Sequence, residues 1–293
     1  MTYIECRRDR VTAKEPLVTY ASAMFLALFG IVMSSTVVGQ TPPSTTVQLQ
    51  ALVQAYPDFL DRIEGNELVW KDGLRMTIDD GRGLKDFETR LNVPDIKDMF
   101  YEPYPIGRTG IPPPFESDPG RVRFQALFDK MYGNCLAGEV EARLIEVDWL
   151  PGTGAPQKLL VNKVNGMAKE LGAVIKELAL LPQEFVKFLK PSAGTYNCRP
   201  IEGTTRISAH GQGIAIDINV DYSDYWRWTK PDASGRYPYK NSIPWEIVEI
   251  FEKHGFIWGG KWYHYDTMHF EYRPELLLVG KAQTGEVVTP ARQ

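Results

Sequence analysis

The chain has 293 residues, 43% apolar and 24% charged, with a formal net charge of −4 at pH 7. Those values suit a globular protein able to bury a sizeable core without staples. The acidic balance excludes broad electrostatic binding to nucleic acid, and no nucleic-acid partner is expected.

Residues 1–39 read as an export signal. Arg7, Arg8, Arg10 and Lys14 form a basic lead, the apolar run 21–33 follows, and Val37-Val-Gly39 precedes Gln40. The run is shorter than the roughly 20 residues that span a bilayer. A retained anchor is the alternative, and only then is the membrane a partner. Export puts Cys135 and Cys198 in an oxidising compartment, where they either pair or stay as buried thiols.

Residues 40–139 are expected to form a linker and an irregular accessory region. Thr41-Pro-Pro-Ser-Thr-Thr46 is the linker. Leu49, Leu52, Val53, Tyr56, Phe59 and Leu60 predict a helix over 47–65. Turn formers then crowd the chain to Gly138, as in Asp79-Asp-Gly81 and Ile111-Pro-Pro-Pro114. Residues 140–285 carry more regular signals, and 286–293 read as a tail. A strand is predicted over 141–150. A helix is predicted over 158–180, where Leu160, Val164, Met167, Leu171, Val174, Ile175 and Leu178 recur at steps of three and four. Residues 213–220 alternate, sending Ile214, Ile216, Ile218 and Val220 one way and Asp217 the other. A second helix is predicted over 244–254, with Pro244 in its first turn. Residues 268–272 alternate again and set His269 and Glu271 on one face.

Two segments carry chemistry. The first is Ser208-Ala-His210-Gly-Gln-Gly213-Ile-Ala215-Ile-Asp217; the second is Asp266-Thr-Met-His269-Phe-Glu271. A catalytic zinc takes three protein ligands and keeps one position open. His210, Asp217 and His269 supply two imidazoles and a carboxylate, leaving Asp266 free to handle protons. Gly211 and Gly213 allow a turn and close backbone approach between the first two ligands. There is no Gly-x-Ser-x-Gly elbow and no His-Glu-x-x-His helix, which disfavours a serine hydrolase and a thermolysin-like enzyme.

These segments resemble the zinc D-Ala-D-Ala peptidases of the M15 type, whose motifs are Ser-x-His-x-x-Gly-x-Ala-x-Asp and an acid, two residues, then His. Both are complete here, at Ser208, His210, Gly213, Ala215 and Asp217, and at Asp266 and His269. The resemblance covers roughly residues 140–275. Asp in place of the usual Glu at 266, Phe270-Glu271 and Gly259-Gly-Lys-Trp262 look closest to the endopeptidase branch. The resemblance implies an α+β fold of the Hedgehog/DD-peptidase kind, an antiparallel sheet with flanking helices preceded by the irregular N-terminal region. It implies Zn2+ on His210, Asp217 and His269, with Asp266 as general base. It implies Arg199 as the substrate-side arginine, with Arg206 as the competing candidate. Ser208, Glu271 and Trp262 would touch substrate or support the ligands. The implied function is an exported zinc peptidase, in the periplasm or cell envelope, cutting the peptide stems of peptidoglycan as a carboxypeptidase or endopeptidase. The alternative is a non-catalytic, Hedgehog-like zinc-binding module of the envelope.

Overall fold

A computed structural model describes residues 45–284. The expected export segment lies outside the described residues, as does the expected tail.

The chain opens with α1 (Thr45–Ala55), β1 (Leu60–Glu64), β2 (Glu67–Trp70) and β3 (Arg75–Thr77). The helix expected over 47–65 therefore stops early. Pro57 follows its end and cannot donate to a helical ladder, and Leu60 onward pairs with β2 instead. A two-residue turn at Gly65-Asn66 joins β1 to β2, with Gly65 at φ 59°. Next come α2 (Phe87–Asn92) and α3 (Gln125–Tyr132), which buries Leu127, Phe128, Met131 and Tyr132.

β4 (Leu144–Asp148) pairs antiparallel with β5 (Lys158–Asn162), in register from Leu144↔Asn162 to Asp148↔Lys158. Residues 158–162 are thus a strand, not the first turns of the expected helix. Their own alternation decides it: Leu159 and Val161 are buried while Leu160 is exposed. The helix is α4 (Met167–Leu178), and its stripe of Leu171, Val174, Ile175 and Leu178 enters the core. Short α5 (Val186–Leu189) follows.

The central sheet has the order β6 (Ala215–Asp217), β8 (His269–Tyr272), β7 (Phe256–Trp258), all antiparallel. The strand expected over 213–220 is shortened to three residues: Gly213 turns the chain before it, and Val220 is partly exposed beyond it. α6 (Trp245–Lys253) packs its Phe251 ring on Phe270, with centroids 3.9 Å apart. α7 (Pro274–Thr284) closes the described chain and packs on α1. The architecture is α+β with three small antiparallel sheets.

Residues 45–139 and 140–284 share buried polar bonds. Tyr56 donates to Glu275 Oε2 at 2.7 Å, and Tyr104 donates to Glu252 Oε1 at 2.6 Å. Arg273, fully buried, donates to the Gly120 carbonyl at 2.7 Å. Cys135 and Cys198 form a disulfide, which resolves the two readings of those cysteines.

Candidate metal centre and cleft

Register builds the site. Asp217 on β6 lies directly opposite His269 on β8, and opposed residues on one face hold their Cβ atoms about 5 Å apart. His210 arrives on a single 3-10 turn, Ala209–Gln212. Ser208 precedes that turn, and its Oγ accepts the His210 backbone N–H at 3.3 Å. Gly213 ends the turn at φ +67°, and a Cβ there would stand 2.8 Å from Leu144. A Cβ at Gly211 would meet Ile207 at 2.7 Å. The two glycines let this turn pack against its neighbours, so His210 can reach the end of β6.

Three donor atoms converge. His210 Nε2 is 3.2 Å from Asp217 Oδ1, His269 Nδ1 is 3.0 Å from the same oxygen, and the two ring nitrogens are 3.2 Å apart. Ligands held at about 2.0–2.1 Å around a tetrahedral zinc sit roughly 3.3 Å from one another, so this spacing fits. The tautomers fit as well. Thr195 O can only accept, so His210 Nδ1 donates to it at 2.6 Å and Nε2 keeps its lone pair for the cluster. His269 turns Nε2 toward Glu271 Oε2 at 3.5 Å and Nδ1 inward.

The electrostatics favour a cation. Burial alone would lower the pKa of His269, yet the carboxylates of Asp217 and Glu271 outweigh it and push it up to about 10. Burial alone would raise Asp217; the neighbouring imidazoles hold it far below the carboxylate range. Burial would also raise Glu271, but the Arg123 guanidinium at 2.8 Å, with Arg273 beside it, brings it down to about 2. A carboxylate behind a ligating histidine orients the ring and raises its basicity.

Above the cluster is a cleft of about 290 Å³ lined by Arg199, Ser208, Trp262 and Asp266 together with His210, Asp217 and His269. Asp266 has one carboxylate oxygen buried without a hydrogen-bond partner. Burial, and then the charge of Asp217, push its pKa up to about 6. Trp262 packs near His269, with centroids 5.7 Å apart, while Trp258 is wholly core. Arg199 stands exposed at the rim. Arg206 does not line this cleft, and Glu271 sits behind His269 rather than in the cleft.

Other lining residues escaped the sequence reading. Arg121 and Arg123 reach the cleft from the turn-rich region, and Tyr225 and Trp228 from the segment after β6. Buried Asp118 accepts from Arg121 at 2.6 Å and from His264 Nδ1 at 2.9 Å, fixing both at the wall. The Asp118-x-x-Arg121-x-Arg123 run was visible as charge, but nothing in its spacing connects it to segments so distant in sequence.

An α+β fold that gathers two imidazoles and a carboxylate at the foot of a polar cleft defines a candidate metallohydrolase. The family model described as D-alanyl-D-alanine carboxypeptidase matches residues 202–272, a stretch holding His210, Asp217, His269 and Asp266. No curated protein and no solved structure matches the chain.

Proposed function

We propose that the protein is an exported zinc peptidase that hydrolyses peptide bonds in peptidoglycan stem peptides. The observation that carries this reading is the convergence of His210 Nε2, Asp217 Oδ1 and His269 Nδ1 within 3.0–3.2 Å beside Asp266. His210, Asp217 and His269 would hold the zinc. Bound there, zinc supplies Lewis acidity toward a peptide carbonyl.

The chain's own groups do the rest. Asp266 takes a proton from the attacking water and passes it to the leaving amine. Its raised pKa and unpartnered buried oxygen suit a group that both accepts and returns a proton. Arg199 offers its guanidinium to the carbonyl oxygen as negative charge develops, or to a substrate carboxylate. Ser208 holds the turn that carries His210. Glu271 keeps the His269 ring in orientation. Trp262 walls the cleft and limits water beside the reacting bond. The fold is read as the Hedgehog/DD-peptidase kind, nearest the endopeptidase branch. The Cys135–Cys198 bond supports a location outside the cytoplasm, in the periplasm or cell envelope, since such bonds persist under oxidising conditions.

The test is digestion of purified sacculi by the zinc-loaded protein, with muropeptide products read by mass spectrometry. Release of D-alanine or cleavage within the stem is the expected result and tells the two bond types apart. Full zinc content without any cleavage would favour the non-catalytic zinc module instead.

A further inference from the structure

A second cavity, about 390 Å³, adjoins the metal cleft. The hairpin closed by the Pro200↔Ile207 bridge separates the two. Arg199, Ile201 and Ser208 face the cleft; Thr205, Arg206 and Ile207 line the second cavity. Arg121 and Arg123 line both, so the spaces share a wall of guanidinium groups. Leu91, Val93 and Phe124 make the remaining wall largely apolar.

The charges of this wall are unequally matched. Arg121 pairs with Asp118 at 2.6 Å, and Arg123 with Glu271 at 2.8 Å. Arg206 makes no ion pair with a described residue, and its Nε is buried without a hydrogen-bond partner. The Nε of Arg123 is in the same condition. Burial, then repulsion from Arg123 and Arg121, pushes the pKa of Arg206 down to about 10. A partly buried guanidinium beside two like charges destabilises the fold.

The hairpin does not depend on that guanidinium. Thr204 Oγ1 accepts the Arg206 backbone N–H at 3.2 Å, and the Arg206 carbonyl accepts from Ile201 N–H at 2.8 Å. An unmatched cation in a cavity next to a reactive cleft is suited to an anionic ligand group.

We propose that Arg206, with the Arg123 guanidinium beside it, binds a second carboxylate of the peptide whose scissile bond lies at the metal cluster. The assignment rests on the peptidase reading and narrows it: the preferred substrate is an acidic peptide carrying a free carboxylate away from the bond that is cut. Arg199 and Arg206, on opposite sides of one hairpin, then hold different parts of one substrate.

The experiment uses two synthetic stem peptides identical except that one carries a free side carboxylate and the other its carboxamide. The zinc-loaded wild-type protein should cleave the free acid with a kcat/KM about 10–100-fold higher, the range that one charge-assisted hydrogen-bonded pair supplies. Arg206→Met should bring the two rates together, and Arg206→Lys should restore part of the difference. The melting temperature of Arg206→Met should hold or rise, since an uncompensated charge is removed. A preference that survives in Arg206→Met overturns the proposal, and a fall in melting temperature with that preference intact marks the residue as structural. If neither peptide is cleaved, the peptidase reading fails on its own. Calorimetric binding of the free-acid peptide to the full chain then decides the anion site. Affinity lowered about tenfold or more by Arg206→Met supports the site, and equal affinity overturns it.

Discussion

Asp266 lies three residues before the start of β8 and Glu271 two residues after it, and their surroundings give these acids opposite characters. Glu271 is fully buried, faces Arg123 and Arg273, and is held as an anion. Asp266 is half-buried, has one oxygen unpartnered, and protonates far more easily. Asp266→Asn should therefore keep the fold and the zinc while slowing turnover by about 10²–10⁴-fold. Zinc content, melting temperature and muropeptide cleavage on one preparation check this, and wild-type turnover in a zinc-loaded variant would exclude Asp266 as the base. Glu271→Gln should act differently. It leaves Arg123 without its ion pair, while Arg273 keeps Glu275, and should cost about 3–5 kcal/mol of stability. The folded pKa of Glu271 lies below its ordinary value, so its contribution is complete above about pH 4.5 and fades as pH falls toward 2. Acid titration of metal-free wild type and Glu271→Gln should converge in that window. Parallel curves across it would show that Glu271 adds nothing.

At the scale of elements, the motif-bearing pieces were the most legible. The alternation around Asp217 and His269 sets the two opposite one another on paired strands, although β6 is shortened to three residues and β8 is buried on both faces. The two misread helices failed for one shared reason. Apolar spacing of three and four ran across a boundary, from β5 into α4 and from α1 into β1, and periodicity alone does not see where hydrogen-bond partners change. Pro57 and Asn165, which has φ 54°, mark those boundaries. The Cys135–Cys198 bond could not be read from spacing, because it depends on a tertiary approach between α3's exit and the hairpin beside Arg199. That bond closes 63 residues of chain. Cys135→Ser with Cys198→Ser should lower stability by about 2–4 kcal/mol. It should also raise KM more than it lowers kcat, since Arg199 is the neighbour of Cys198 while the ligands lie on other elements. Denaturant unfolding and steady-state kinetics check both, and an unchanged midpoint would contradict the first.

At the scale of the whole molecule, the candidate ligands draw on the turn Ala209–Gln212 and on the paired strands β6 and β8 of the central sheet. A bound cation should therefore stabilise the entire cooperative unit. Chelation should lower the melting temperature, by about 4 kcal/mol of stability if the working metal concentration is a thousandfold above Kd. His210→Ala should abolish the response to chelator; a response of wild-type size in that variant would place the metal elsewhere. The export reading of residues 1–39 carries its own test. Protein recovered from its native envelope should begin near Gln40, as N-terminal sequencing would show. Recovery uncleaved from membranes would favour the anchor.

The salt bridges behind His269 bear on where this catalytic unit begins and ends. Glu271 lies within residues 202–272, but Arg123 and Arg273, which neutralise it, lie outside them. A graft of that segment alone onto a foreign scaffold would carry every ligand and still bury a carboxylate with no counter-ion. The transplantable piece must include the stretch from Asp118 to Arg123 and Arg273, the residue before α7. Heredity is bound by the same arithmetic of charge: a recombination crossover between Arg123 and His210 separates Glu271 from Arg123, one of its two counter-charges, while Arg273 stays with it.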